Sequence, residues 1–139
     1  MTDYATRLQA SNLKATFQRM RIMEVIDQKG HISLDDIYMK IKAHYPSLSL
    51  ATIYKNILLM TQKGLLVEVP LESQKSKYEL AKEAHIHLIC RQCGEVEDVN
   101  LLESTSQTLQ QLTQKESFQL EKEQINLYGV CKACQKRQE

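Results

Sequence analysis

Two cysteine pairs, Cys90-x2-Cys93 and Cys131-x2-Cys134, carry the strongest chemical signal in this 139-residue chain. Each CxxC spans two corners of a tetrahedron, so the two together supply the four thiolates of a closed zinc site. Such a site has no open position; it holds structure and does no chemistry. A redox role is the weaker reading, because it needs one pair only and no thioredoxin-like βαβ pattern flanks either. Plain core cysteines are the remaining alternative. Beside the first pair, EAHIHLIC brings in His85 and His87. Read as a strand, this stretch puts both imidazoles on one face, since residues two apart share a face. Cys90 lies an odd number of positions from each and points the other way. The alternation therefore predicts two separate metal sites on opposite faces of one strand. Asp98, on the paired strand, Glu79 and His31 are the candidates to complete the second site. A set of nitrogen and oxygen donors suits Fe(II), Mn(II) or Zn(II) rather than Cu(I). Against this stands the plainer reading that a histidine on a strand is usually structural or solvated; His44, before Tyr45-Pro46, reads as a surface residue.

These groups must be positioned by the elements around them. Residues 3–10 form a short amphipathic helix. Thr16 caps a second, with Met20, Met23, Val25 and Ile26 among exposed Arg19, Arg21 and Glu24, and Gly30 stops it. Ser33 caps LDDIYMKIKAHY, whose Asp35 and Asp36 suit the positive end of the helix dipole. Its Leu34, Ile37, Tyr38 and Ile41 share a face, and Pro46 follows. Ser49 or Ser47 caps LATIYKNILLMTQKG, which Gly64 ends. The period then changes. LLVEVPLE and KSKYELA, joined by the polar ESQK, read as a two-stranded hairpin. Helices followed by a hairpin suggest a winged helix-turn-helix, whose last helix enters the DNA major groove. Beyond residue 80, AHIHLIC and EVEDVNL read as paired strands around the turn at CRQCG. LLESTSQTLQQLTQK reads as a helix, and FQLEKEQINLYGV as a strand-like segment before CKACQKRQE. The fold class expected is α+β: a winged-helix domain over 1–81, a hinge at 82–84, and a C-terminal α/β domain over 85–139.

Composition bounds the rest. No apolar run approaches the ~18 residues that span a bilayer, and MTDYATRLQA lacks the apolar core of a secretory signal. The expected location is the cytoplasm, where thiols stay reduced and cysteines favour metal over disulfides. The net charge of +1 decides nothing by itself. Residues 1–80 carry eleven basic and eight acidic side chains, whereas 81–139 carry seven and nine. A mildly basic first half and an acidic, ligand-rich second half hint at two jobs: one for an anion, one for a cation.

The order of winged helix, HxHxxCxxCG, helix and terminal YGVCxxC resembles the ferric uptake regulator family of metal-dependent bacterial repressors. HISLDDIY (31–38), SLATIYKNI (49–57), KYELAKEAHIHLICRQCGEVEDV (77–99) and LYGVCKAC (127–134) carry the likeness. It implies a homodimer that binds double-stranded operator DNA, with metal as corepressor and neither membrane nor small-molecule substrate as partner. It implies structural Zn(II) on Cys90, Cys93, Cys131 and Cys134. It further implies a regulatory Fe(II) or Mn(II) site joining the two domains through His31, Glu79, His85, His87 and Asp98. Two departures point to a branch. Iron-responsive members usually read HHDH where this chain reads AHIH, and often YGHC where it has Val130. What survives resembles the peroxide-responsive branch. Asp98 favours that branch; Glu79 cuts the other way, because peroxide sensors commonly have Asp there. By analogy with the branch, His31 or His85 is the imidazole that becomes oxidised.

For DNA, the exposed polar residues near the start of the helix from residue 50 are the base-reading candidates: Ser49, Thr52, Tyr54, Lys55 and Asn56. Lys14, Gln18 and Arg19 are placed to anchor phosphates. The plainer reading makes Tyr54 partly core, as Ile53, Ile57 and Leu58 are expected to be. Rival functions are an iron-responsive repressor of iron uptake, a zinc-binding enzyme and a structural zinc module. The enzyme reading is the weaker, since HExxH and an obvious base are missing.

Overall fold

Four helix starts in the first half are fixed by side chains that take up orphan backbone N–H groups. In the computed structural model, which describes residues 3–72 and 74–137, Asp3 accepts from the Thr6 N–H at 3.0 Å and opens α1 (Tyr4–Ala10). The Thr6 hydroxyl and then its N–H hold the Asp3 carboxyl below its ordinary range. Thr16, Ser33 and Ser49 cap α2 (Phe17–Lys29), α3 (Leu34–Lys42) and α4 (Leu50–Gln62) by accepting from Arg19, Asp36 and Thr52 N–H groups. Gly30 ends α2 at φ +82°, a left-handed conformation that costs glycine nothing.

The chain divides into two compact units, Met1–Ala81 and Lys82–Glu139. In the first, Leu8 of α1, Ile22, Met23 and Ile26 of α2, Ile37 and Ile41 of α3, and Ile53, Ile57 and Met60 of α4 bury their side chains in one core. Each such aliphatic contributes ~1.5–3 kcal/mol on leaving water. Leu58, expected in this core, is 45% exposed, because a residue next to Ile57 lies about 100° round the helix from it. The helix expected through Tyr45 stops at Lys42. Proline disfavours the helical region for the residue before it, so the chain leaves α3 in a turn, with His44 and Tyr45 N–H both donating to the Ile41 carbonyl.

The hairpin forms from β2 (Leu66–Val69) and β3 (Lys77–Leu80), with Leu66 opposite Leu80 and Val69 opposite Lys77. Within its polar connection, Ser73 lies outside the described residues. A third strand, β1 (Ile32–Ser33), pairs antiparallel with the far edge of β3 and gives the order β1-β3-β2. Two residues are too short for a period-2 signal, so no local pattern announces this strand.

In the second unit, β4 (His85–Cys90) lies between β5 (Val96–Asn100), antiparallel, and β6 (Ile125–Gly129), parallel. The helix α5 (Glu103–Lys115) supplies the crossover, and a short α6 (Lys132–Arg137), absent from the sequence reading, closes the described chain. Of the expected strand-like stretch over 118–130, only Ile125–Gly129 is strand. Register sets two faces. Ile86, Leu88 and Cys90 lie beside Val99, Leu127 and Gly129 on one; His85, His87 and Ile89 lie beside Asn100, Asp98 and Val96 on the other. Among the described residues no helix is long and apolar enough to cross a membrane.

Candidate metal centres and nucleic-acid face

The turn after β4 is built around Gly94. Its φ of +76° allows its N–H to donate to the Cys90 carbonyl at 3.0 Å, while the Cys90 N–H donates to Glu95. This folds Cys93 back beside Cys90. The parallel β6 delivers Cys131 to the same place, where its N–H donates to the Cys90 sulfur at 3.3 Å. All four sulfurs lie within 4.8 Å of one another, and those of Cys93 and Cys131 are 3.7 Å apart. A tetrahedron with Zn–S bonds of ~2.3 Å has edges of about 3.8 Å, so the thiols already stand near its corners. Their protonation fits a cation too. The Cys131 and Cys93 N–H groups pull the Cys90 thiol down to about 6, whereas its hydrogen bond with Cys131, then burial, push Cys134 up to about 12. Unaided, the cluster resists becoming four anions; a divalent ion removes that resistance.

On the opposite face of β4 the histidines meet a carboxylate. His87 is buried at 2% exposure, and its Nε2 lies 2.8 Å from Nε2 of His85. Asp98, which the register sets opposite His87, has Oδ1 at 3.5 Å from the first ring's nitrogen (His85) and 3.7 Å from the second's. The Glu83 carbonyl can only accept, so at 2.8 Å it holds the His85 proton on Nδ1 and leaves the Nε2 lone pair facing inward. Two nitrogens bound at ~2.1 Å and at right angles to one ion lie about 3.0 Å apart, close to the spacing here. Sequence reasoning missed two neighbours. Lys82 pairs with Asp98 Oδ2, and Asn126 of β6 puts Oδ1 at 2.9 Å from His87 Nδ1. Lys82 and Glu83, expected as hinge, thus contact Asp98 and His85 of the second unit's candidate set. Asn126 reaches His87 through a parallel pairing across 39 positions, which no local pattern announces.

In the first unit, β1 pairs Ile32 with Tyr78 and so carries His31 beside Glu79 of β3. His31 Nε2 lies 2.9 Å from Glu79 Oε2, and the glutamate side chain is 1% exposed. A buried carboxylate is retained where a partner or a metal offsets its desolvation. This imidazole–carboxylate pair supplies two hard donors and is an incomplete coordination set alone, as is the three-donor set on β4 and β5.

The sequence-predicted DNA candidates fall into two kinds. Thr52, Lys55 and Lys14 are exposed, and Tyr54, which the plainer reading makes partly core, is 47% exposed. Ser49 is also exposed but occupied: it caps α4 and its hydroxyl donates to Thr52 Oγ1 at 3.0 Å. Arg19 joins α2 to α4 by donating through Nε to Asn56 Oδ1 at 3.1 Å and through Nη1 to the Lys14 carbonyl at 2.9 Å. Asn56 in turn donates to the Thr52 carbonyl. Gln18 is half-buried beside them. Arg19 and Asn56 therefore brace the start of α4 in this structure, while Tyr54 and Lys55 on α4, and Lys14 before α2, are exposed polar side chains.

Known proteins share this fold. The chain is 30% identical over 138 residues to the peroxide-responsive repressor PerR of Staphylococcus saprophyticus, covering 97% of this chain and 91% of that one. The crystal structure of the Campylobacter jejuni peroxide stress regulator superposes with a TM-score of 0.78 at 32% identity, covering 96% of this chain and all of that one. The Vibrio cholerae ferric uptake regulator superposes with a TM-score of 0.75 at 30% identity, over 93% of this chain and 100% of the other. The Ferric uptake regulator family pattern matches residues 10–128, and the chain belongs to that family.

Proposed function

We propose that this protein is a cytoplasmic peroxide sensor that represses transcription as a metal-loaded homodimer and releases its operator after oxidation of a histidine ligand. As a family member it is a DNA-binding transcriptional regulator and not an enzyme, working as a homodimer on double-stranded DNA. The observation that supports a regulatory ion is the convergence of His85, His87 and Asp98 on the face of β4 away from the cysteines, and the likeness to peroxide-responsive regulators supports the peroxide branch. In this proposal His31 and Glu79 complete that set, so one Fe(II) or Mn(II) ion is shared by the two units. Zn(II) occupies Cys90, Cys93, Cys131 and Cys134 as a structural ion.

Sharing ligands couples the ion to the arrangement of the units. Neither set alone fills a coordination sphere, so the ion favours whichever arrangement presents both. In a dimer that arrangement fixes the spacing between two α4 helices, which must match successive major grooves. Bound iron would supply the reduction of hydrogen peroxide, with one oxygen entering a ligand imidazole and the other leaving as water. His31 and His85 are the imidazoles assigned this fate. The oxidised ring is a poorer donor, and the five-ligand set falls apart into its two incomplete halves.

An iron-responsive repressor is the second reading, favoured by Glu79 in place of the aspartate common in peroxide sensors; the relatives include both kinds at comparable identity. Promoter binding by the purified protein loaded with Fe(II) or Mn(II), before and after peroxide, separates them. The proposal expects loss of binding with Fe(II) only, and a peptide holding His31 or His85 heavier by one oxygen atom. Retained binding with Fe(II) after peroxide favours the iron-responsive reading.

A further inference from the structure

We infer that Asn126 is a positioning residue for the regulatory metal: its side-chain carbonyl holds the His87 proton on Nδ1 and turns the Nε2 lone pair toward Asp98 and His85. The inference rests on the proposed regulatory site and deepens it. A neutral imidazole has one proton and two nitrogens, and only the bare nitrogen binds a metal. For His85 the choice is made by the backbone, because the Glu83 carbonyl cannot donate. For His87 the acceptor at Nδ1 is a side chain. The parallel register places Asn126 directly beside His87, and Oδ1 stands 2.9 Å from Nδ1. His87 is buried, so water is poorly placed to substitute. Without the acceptor, the His87 proton gains by moving to Nε2, where it would donate to the His85 nitrogen 2.8 Å away. That tautomer seals both histidines against a cation.

An amide can also donate through Nδ2, so the selection comes from Oδ1 being the atom that faces Nδ1, at 2.9 Å, where it accepts while adding no charge to the set. A carboxylate there would also hold the proton on Nδ1 and would make the ring a better donor; an aliphatic side chain of similar size would not hold it. Loss of a supporting partner of this kind typically weakens metal binding by ~10–100-fold.

The test uses the full-length, zinc-loaded protein with Asn126→Leu and Asn126→Asp. Mn(II) alone is titrated and followed by electron paramagnetic resonance, and the ring nitrogens of His87 are read by NMR before Mn(II) is added. The expected results are Mn(II) affinity lowered by more than about tenfold in Asn126→Leu, wild-type or tighter affinity in Asn126→Asp, and a His87 proton that moves to Nε2 in the leucine variant only. Mn(II) affinity within about twofold of wild type in Asn126→Leu overturns the inference. So does a carboxylate that fails to restore binding, which assigns the residue a purely packing role. Should wild-type protein bind no Mn(II), the proposed site fails, while the tautomer measurement still decides the role of Asn126. A leucine variant that does not fold leaves the wild-type tautomer and the aspartate variant to decide it.

Discussion

Cys131→Ser should unfold the second unit and spare the first. Among the described residues of the second unit, Ile89 and Val96 are the only buried aliphatic side chains, and α5 buries none. Two such side chains contribute ~3–6 kcal/mol together, at ~1.5–3 each. A structural zinc site contributes an apparent ~10–16 kcal/mol in small domains near neutral pH. Half-buried Ile86, Leu101, Leu109, Leu120, Ile125 and Val130 add to the apolar side, so the proposed zinc is comparable to all the apolar contributions of the second unit together, and that unit is expected to depend on it. The first unit, with its core drawn from four helices, needs no such staple. Zinc content by atomic absorption and limited proteolysis with mass spectrometry read the outcome. The variant should lose zinc and show cleavage confined to residues beyond Ala81, with a resistant fragment spanning the four helices and the hairpin. Where three thiolates still retain the ion, Cys131→Ser combined with Cys134→Ser removes two corners and the same result is expected. A zinc-free variant that protects residues 82–137 as the wild type does would refute the reasoning. It would mean that apolar pairing between protomers, through exposed Leu88, Val99 and Leu127, carries the fold instead.

Glu79→Gln removes a buried anionic donor, and Mn(II) affinity, measured by calorimetry, should fall by at least the ~10–100-fold that a lost supporting group costs. Lys55→Ala should weaken operator binding at all sequences and lower the slope of log affinity against log salt by about 1, seen by fluorescence anisotropy at several salt concentrations; an unchanged slope would place Lys55 away from phosphate. Leu127→Asp puts a charge on the exposed apolar face of the second sheet, beside Leu88. Sedimentation equilibrium should show it shifted from dimer toward monomer. Tyr4 donates to Asp27 Oδ2 at 2.8 Å, and burial together with that carboxylate raises its pKa from the ordinary 10.0 to about 12. The folded state thus favours the neutral phenol; this contribution is whole below pH 10 and is lost as pH rises through 12. Tyr4→Phe should cost ~0.5–1.5 kcal/mol at neutral pH and flatten the alkaline fall in stability, measured by denaturant titration across that range.

The first unit was legible because its signals are local. Thr16, Ser33 and Ser49 announce helix starts within four residues of the N–H groups they satisfy, and Ile53, Ile57 and Met60 recur at helical spacing. The separation of histidines from cysteines was legible for the same reason: strand alternation is a two-residue rule. What could not be read is what depends on distant pairing. Strand β1 has two residues and exists because β3 is beside it. The neighbours Asn126 and Lys82 acquire meaning only once β6 pairs with β4 and Asp98 faces His87. Leu58 shows the opposite failure, an apolar residue counted as core because its neighbours are, although its position on α4 turns it outward.

In the proposed reading the two candidate metal sites are unequal in consequence, and the sheet explains why. Strand β4 presents soft sulfur on one side and harder nitrogen on the other, so the two candidate sites differ in the donors they offer an ion. Yet both sets depend on one register. Cys90 is held by the turn at Gly94 and by Gly129 opposite it, and that same alignment puts His87 against Asp98 and Asn126. A slip of one residue would turn every side chain of β4 to the wrong face. Loss of zinc at the closed end therefore takes the regulatory site with it. Loss of the regulatory ion removes donors that alternation keeps apart from the thiolates, and it leaves the register intact. A sensor is served by a signal at the site that can empty without unfolding the module that reads it.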